Sequence, residues 1–188
     1  MADTQTLSCQ CGATEWTIDT SSGTRVVCYC ADCQTFARHL SPNQPQTDAA
    51  GGTHVYQTLP ENIHFTRNAN GLSALRLSPN GLIRWYTACC RTPVANTLPR
   101  TGIPFAGLVL PPETPDFGKI VAHAFTDSAR RPVKGYGMPK AGLSVLFRAL
   151  SGRIAGTHRT GPFVDADGEL AVTPTVLTRE ERSAARPR

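Results

Sequence analysis

The sequence lacks any long hydrophobic segment and is poor in charged residues. None of its apolar runs approaches the roughly 18 residues that a membrane-spanning helix requires, and residues 1–6 lack the charged and apolar regions of a signal peptide. Charged residues make up 18% of the 188-residue chain, against about 25% in typical globular proteins. These absences argue against a membrane-spanning or secreted protein. They predict a cytoplasmic one, in which reduced cysteines favour metal binding over disulfides.

The remaining composition favours a mainly β fold with many turns. The chain contains 16 glycines and 15 prolines, which punctuate regular structure. An Asn80-Gly81 pair predicts a tight hairpin between two apolar segments, and residues 118–126 fit either a helix or a strand. Short helices are expected at residues 32–40 and 143–154. Strands are expected at residues 14–18, 25–29, 54–58, 63–66, 73–77, 82–86 and 103–110.

The patterns divide the chain into two parts. A zinc-binding β domain is predicted over residues 1–110, and a mixed, partly helical extension over residues 111–188 is predicted to pack on it, with residues 179–188 frayed. Residues 100–188 carry thirteen Lys and Arg against eight Asp and Glu, and such a basic surface can contact nucleic acid. A solvated surface is the favoured interpretation, because no dense basic block precedes Arg179. Nothing in the sequence indicates a membrane partner, and the oligomeric state stays open.

The chemistry of the chain is concentrated in its seven cysteines, which lie in three places. We call the first and last pairs together the four-cysteine cluster (Cys9, Cys11, Cys89, Cys90) and the middle group the triplet (Cys28, Cys30, Cys33). On an extended strand, residues i and i+2 point to the same side, so Cys9 and Cys11, or Cys28 and Cys30, can face one ion. Gly12 fits a metal-binding turn, because glycine adopts positive φ without strain. Thiolates at these spacings select zinc or a similar soft metal.

A division of the cysteines into four and three predicts two kinds of zinc site. A structural zinc has four protein ligands, whereas a catalytic zinc has three and an open position. The four-cysteine cluster can form the first kind and the triplet the second. Because neighbours on a strand point to opposite faces, Cys89 and Cys90 can share an ion only if the chain turns sharply before Pro93. Two alternatives stay open: seven ordinary buried thiols, or one structural zinc beside an unmetallated, reactive triplet.

The order of these motifs resembles the glutathione-dependent formaldehyde-activating enzyme family, which includes centromere-protein-V-like domains. The resemblance covers residues 7–109 and rests on the segments CQCGA (9–13), CYCADCQ (28–34) and CCRTP (89–93). It implies an Mss4-like β fold, a structural zinc on Cys9, Cys11 and Cys90, and a second zinc in the triplet linked to thiol-adduct chemistry. In the family the last cysteine pair has the pattern CxxCG. Here Thr87 occupies the position of its first cysteine and Arg91 the position of its glycine. Cys89 is therefore the candidate to replace the missing fourth ligand.

The resemblance implies a carbon–sulfur lyase that acts on adducts of an aldehyde with a thiol such as glutathione, through the open zinc site. Arg38 is a candidate for binding the carboxylates of such a thiol, although a solvated helix residue is the favoured interpretation. Candidate proton carriers, each more often structural, are His39, His54, His64 and His123. Core packing is favoured over ligand binding for residues 84–86. The alternative function is a non-enzymatic binding module, stabilised by zinc, whose basic C-terminal part contacts nucleic acid or protein.

Overall fold

The computed structural model describes residues 3–99, 102–114, 116–157 and 160–187. Within these residues the protein is mainly β with a partly helical C-terminal part, so the predicted fold class is confirmed. The helices of the described chain are α1 (Ala31–Leu40), α2 (Met138–Ile154) and α3 (Arg179–Ala185). Its strands are β1 (Thr4–Ser8), β2 (Glu15–Asp19), β3 (Thr24–Cys28), β4 (Thr53–Thr58), β5 (Ile63–Arg67), β6 (Leu72–Arg76), β7 (Ile83–Thr87), β8 (Pro93–Thr97), β9 (Ala106–Leu110), β10 (Ile120–Ala124) and β11 (Thr175–Val176).

The strands form two sheets. A three-stranded antiparallel sheet has the order β1-β2-β5, and an eight-stranded sheet has the order β10-β3-β4-β9-β8-β7-β6-β11. The larger sheet is antiparallel except at its edges, where β10 pairs in parallel with β3 and β11 with β6. The ambiguous segment 118–126 is therefore an edge strand. Both edge strands follow residue 110, and the division of the chain into domains at that residue stays a prediction.

The main core lies between the two sheets. Trp16 and Ile18 of β2 point into it and join Ile83 and Trp85 of β7, and each of the four is at most 2% exposed. Alternation along a strand sends successive side chains to opposite faces. The intervening Arg84 consequently lies on the other face of the large sheet, the one that the helices cover. Burying such aromatic and aliphatic side chains stabilises the fold by about 1.5–3 kcal/mol each.

Two smaller apolar clusters attach the helices to that face. Val26 of β3 and Val55 of β4 pack against Ala141 of α2. Phe36 and Leu40 of α1 pack in a cluster with Leu75 of β6 and with Leu77, which follows that strand. The helix predicted at residues 32–40 is thus confirmed. No helix among the described residues is both long and apolar enough to cross a membrane.

Residues 179–185 form helix α3, whereas the charge of the segment 179–188 predicts a frayed tail. Thr178 caps this helix: its hydroxyl accepts the Glu181 N–H at 3.1 Å, and the Glu181 carboxylate accepts the Thr178 N–H at 2.8 Å. This reciprocal pair is a capping box. The helix contacts α1, where Arg182 reaches Asp32 at 3.4 Å. Local capping and a tertiary contact therefore order a segment whose composition alone indicates disorder.

Candidate metal centres

The four-cysteine cluster joins the turn after β1 to the turn after β7. All four Sγ atoms lie within 4.8 Å of one another. Four separations are 3.5 Å (Cys9–Cys11), 3.7 Å (Cys9–Cys89), 3.4 Å (Cys11–Cys89) and 3.8 Å (Cys89–Cys90). Zn–S bonds of about 2.3 Å in a tetrahedron place sulfurs roughly 3.8 Å apart. The cluster therefore has the dimensions of a tetrahedral thiolate site and connects the two sheets.

The first turn brings Cys9 and Cys11 together in a different way from the extended strand that their spacing suggests. Strand β1 ends at Ser8, and the Gly12 N–H donates to the Cys9 carbonyl at 2.8 Å. Gly12 has φ +72°, so the need for glycine after Cys11 is confirmed. The Thr14 N–H donates to the Cys9 sulfur at 3.2 Å and holds it in place.

The second turn explains how the adjacent Cys89 and Cys90 both face the cluster. The Arg91 N–H donates to the Thr87 carbonyl at 2.9 Å, which closes a tight turn over Ala88–Cys90. Arg91 itself has φ 58°, a left-handed conformation that costs a non-glycine residue roughly 1–2 kcal/mol. Its guanidinium donates to the His39 carbonyl at 2.9 Å. The sharp turn that a shared ion requires is therefore present.

The protonation of these thiols is uneven. Burial raises the pKa of Cys90, but hydrogen bonds with the Thr92 and Thr87 hydroxyls outweigh it and bring the pKa down to about 5. The backbone amide of Ala13 lowers the pKa of Cys11, but hydrogen bonds with the neighbouring thiols outweigh that effect and raise the pKa to about 12. Adjacent thiolates repel one another. A cation that neutralises them would allow all four to ionise, as metal binding requires.

The triplet lies where β3 runs into α1. Cys28 is the last residue of the strand, Cys30 is the N-cap of the helix, and Cys33 is in its first turn. Their Sγ atoms all lie within 4.8 Å of one another. The Cys30 sulfur accepts the Cys33 N–H at 3.3 Å. The return of Cys33 towards the other two, predicted for a turn at residues 31–32, is thus made by the first turn of a helix.

Arg84, for which the sequence favours core packing, lies beside the triplet. Its side chain is buried (3% exposed), donates to Asn96 Oδ1 at 3.1 Å and lies 3.8 Å from the Cys33 sulfur. Its guanidinium also stacks over the Phe36 ring at 5.3 Å. Within the described residues, no carboxylate forms an ion pair with it. A buried charge without a counter-charge is costly, so the triplet is the anionic partner that this arginine faces.

Hydrogen bonds among the three thiols shift their pKa values in opposite directions. Hydrogen bonds with Cys28 and Cys30 lower the pKa of Cys33, and Arg84 adds to the effect. The hydrogen bond with Cys30 and then that with Cys33 raise the pKa of Cys28. The bond with Cys28 lowers the pKa of Cys30, but Cys33 and burial outweigh it and the pKa reaches about 11.

A cavity of about 210 Å³ opens directly on the triplet. Cys28 and Cys33 line it, and its walls come from β3, β4, β9 and α2. Cys30 is not among the lining residues. Two of the three cysteines are therefore positioned to meet a small molecule that enters the cavity.

The other candidates lie away from this cavity. Arg38 lies near the far end of α1 beside Glu181, about eight residues and roughly 12 Å along the helix from Cys30. His54 Nδ1 lies 3.1 Å from Arg25 Nη2 and its Nε2 lies 3.7 Å from Asp48, and burial lowers the pKa of this imidazole. None of the four candidate histidines lines the cavity in the described part of the chain.

Comparison with known proteins identifies a family and a distant structural similarity. The profile of a family described as a family of unknown function (DUF6151) matches residues 1–171. A search of curated proteins finds no match. A crystal structure of a Rhodobacter sphaeroides protein from a structural genomics programme is 16% identical, covering 62% of this chain and 97% of the other, with a TM-score of 0.40.

Proposed function

This chain belongs to a family of unknown function (DUF6151), and we propose that it is a zinc protein with one closed and one open thiolate site. The observation that carries the proposal is the grouping of all seven cysteines into two clusters of metal-binding dimensions, one of four and one of three. Cysteine-only ligand sets favour zinc among the common divalent metals of the cell. The closed site holds the two sheets together, and the open site carries the chemistry.

In the open site Cys28, Cys30 and Cys33 hold the metal and leave one coordination position for an external ligand. A zinc ion held by the three cysteines would polarise a bound oxygen as a Lewis acid or stabilise a bound thiolate. Three thiolates and a divalent ion carry a single net negative charge. The buried Arg84 beside Cys33 balances that charge, which explains a buried cation without a carboxylate partner among the described residues.

Within this proposal, the reaction favoured by the sequence resemblance is cleavage or formation of a carbon–sulfur adduct between a thiol and an aldehyde. The support from the site is chemical: a soft metal position, a cavity that opens on it, and room for a small molecule. Glutathione is the thiol that the resemblance suggests. The candidate Arg38 does not line the cavity, so the proposal assigns it no role in binding that thiol.

The second candidate function is a non-enzymatic binding module. The basic C-terminal region supports it, since Arg130, Arg131 and Lys134 lie together on an exposed loop. Phosphate contacts by such residues would make nucleic-acid binding strongly salt-dependent. Binding of a DNA or RNA oligonucleotide that weakens steeply between low and physiological salt, together with no turnover of thiol–aldehyde adducts, would favour this candidate.

A metal count on purified protein tests the proposal directly. We expect about two zinc ions per chain, with four and three cysteine ligands respectively. Elemental analysis gives the number, and anomalous scattering at the zinc edge locates each ion. One ion in the four-cysteine cluster alone would contradict the open site and leave an unmetallated triplet.

Separate Cys89→Ser and Cys90→Ser variants test the closed site. We expect each to lose the zinc of that site, because all four sulfurs lie within 4.8 Å of one another. Each variant is therefore expected to hold fewer than two zinc ions. Retention of two zinc ions by one variant would show that the replaced cysteine is not a ligand and that a group outside the cluster completes the tetrahedron.

A further inference from the structure

We infer that the cavity above the triplet selects a small, uncharged, apolar molecule that presents a thiol or a carbonyl oxygen, and that it excludes ligands charged near that group. This inference rests on the proposed open metal site and names the class of ligand that reaches it. It departs from a charged thiol peptide such as glutathione, which the sequence resemblance suggests.

The lining of the cavity carries the inference. Its described residues include no Asp, Glu, Lys, Arg or His. Val26, Val55 and Ala124 form apolar walls. The residues that both line the cavity and stay exposed, Phe125, Met138 and Gly142, carry no polar side chain. Moving a carboxylate from water into such surroundings without a partner is strongly unfavourable. The route to the triplet therefore carries no charged side chain from the rim to the cysteines and is mostly apolar.

Two amide side chains supply the polar contacts of the cavity. Asn96 Oδ1 accepts from Arg84 at 3.1 Å, and Gln57 Oε1 accepts from the Thr24 hydroxyl at 3.2 Å. Each amide oxygen is thus held by the protein, and neither NH₂ group has an acceptor among the described residues. Both residues line the cavity. Donors of this kind suit a carbonyl oxygen or a thiolate and provide no charge to balance a carboxylate.

The volume limits the size of the ligand. The cavity measures about 210 Å³, whereas an apolar cavity of roughly 150 Å³ holds benzene and sites for drug-sized ligands start at about 300 Å³. A short alkyl or aryl thiol or aldehyde fits this space. The backbone of a tripeptide would have to remain at the apolar rim, with its charged groups unpaired there.

A matched pair of thiols tests the inference. Propanethiol and 3-mercaptopropionate differ by a carboxylate at the end of a similar chain. In cobalt-substituted protein, thiol binding changes the visible absorption of the metal, which gives a titration without any assay of activity. We expect propanethiol to bind at least about tenfold more tightly than 3-mercaptopropionate, a difference of about 1.4 kcal/mol. Glutathione should resemble the charged thiol.

A Gly142→Leu variant locates the binding in the cavity. Gly142 lies on α2 and lines the cavity, and a Cβ added there meets no atom within 4 Å, so a leucine at this position starts from open space and adds bulk at the opening. We expect the affinity for propanethiol to fall at least about tenfold while the metal count stays unchanged. Ser151→Leu is the matched control, because Ser151 is exposed on the same helix and does not line the cavity.

The outcomes separate the two proposals. If only one cobalt binds per chain, the open metal site and this inference both fall. If two bind but the charged thiols match propanethiol, the metal site stands and the apolar selectivity is wrong. If Gly142→Leu binds propanethiol as tightly as the Ser151→Leu control, the ligand reaches the metal by another route and the cavity is not its binding site.

Discussion

The Cys9→Ser variant is expected to lose the closed-site zinc and to be largely unfolded at room temperature. Cys9 is 3% exposed and belongs to the core between the sheets, and its sulfur contacts both Cys11 and Cys89. Structural zinc contributes on the order of 10 kcal/mol in small zinc modules, and typical domains are stable by only about 5–15 kcal/mol. Circular dichroism during denaturant unfolding, with zinc counted on the same sample, provides the measurement.

Chelation provides the control for this variant. Removal of zinc from the wild-type protein with a strong chelator should reproduce the loss of structure, and re-addition of zinc should reverse it in the wild type alone. Soluble, fully folded Cys9→Ser protein without zinc at this site would contradict a structural role for the metal.

The Cys30→Ser variant is expected to lose the triplet metal and thiol binding while the fold survives. Cys30 is the N-cap of α1, where its sulfur accepts the Cys33 N–H. Serine is a preferred N-cap residue, so the helix keeps its cap while zinc loses a soft ligand. We expect the free energy of unfolding to fall far less than in Cys9→Ser, since the larger core does not depend on α1. Zinc counts, cobalt spectra and denaturant unfolding of the two variants measured together give the comparison.

Two results would change this interpretation. If Cys30→Ser unfolds as completely as Cys9→Ser, the triplet is a second structural site and the binding-module function leads. If Cys30→Ser keeps two metal ions and an unchanged response to propanethiol, Cys30 is not a ligand. A Cys28→Ser variant, which also removes a cysteine that lines the cavity, then shows whether the triplet binds metal at all.

Several structural elements follow from local sequence. The antiparallel pairing of β6 with β7 forms as expected. Its turn differs from the predicted one: the Gly81 N–H donates to the Ser78 carbonyl at 2.9 Å, and neither Asn80 nor Gly81 has the positive φ of a tight Asn-Gly turn. Helix α1 (Ala31–Leu40) forms where the sequence predicts a short helix, at residues 32–40. Strand β8, by contrast, was not predicted, since its buried residues show no alternation, and strand β1 begins the chain with too few apolar residues to stand out.

In the candidate sites, too, some features follow from the local sequence and others do not. The spacing within each short motif predicts that Cys9 faces the same ion as Cys11 and that the triplet shares one, because ligand spacing is a local property. The joining of the first and last pairs follows instead from dividing seven ligands into four and three, and the clusters in the structure match that grouping. The role of Arg84 had no sequence signal beyond an unusual charge between Ile83 and Trp85. Arginine is rarely buried without a partner. A charged residue such as Arg84 within an otherwise apolar strand therefore indicates a buried group of opposite charge nearby.

The sequence by itself determined the fold class, the short cysteine motifs and the glycine that the first turn needs, because periodicity, ligand chemistry and backbone conformation are read within a few residues. Only the tertiary structure decided that β10 pairs with β3, that Arg84 meets Cys33, and that an apolar cavity opens on the triplet. These features join residues dozens of positions apart. Their contacts depend on how sheets and helices pack, and no local pattern specifies which distant side chains that packing brings together.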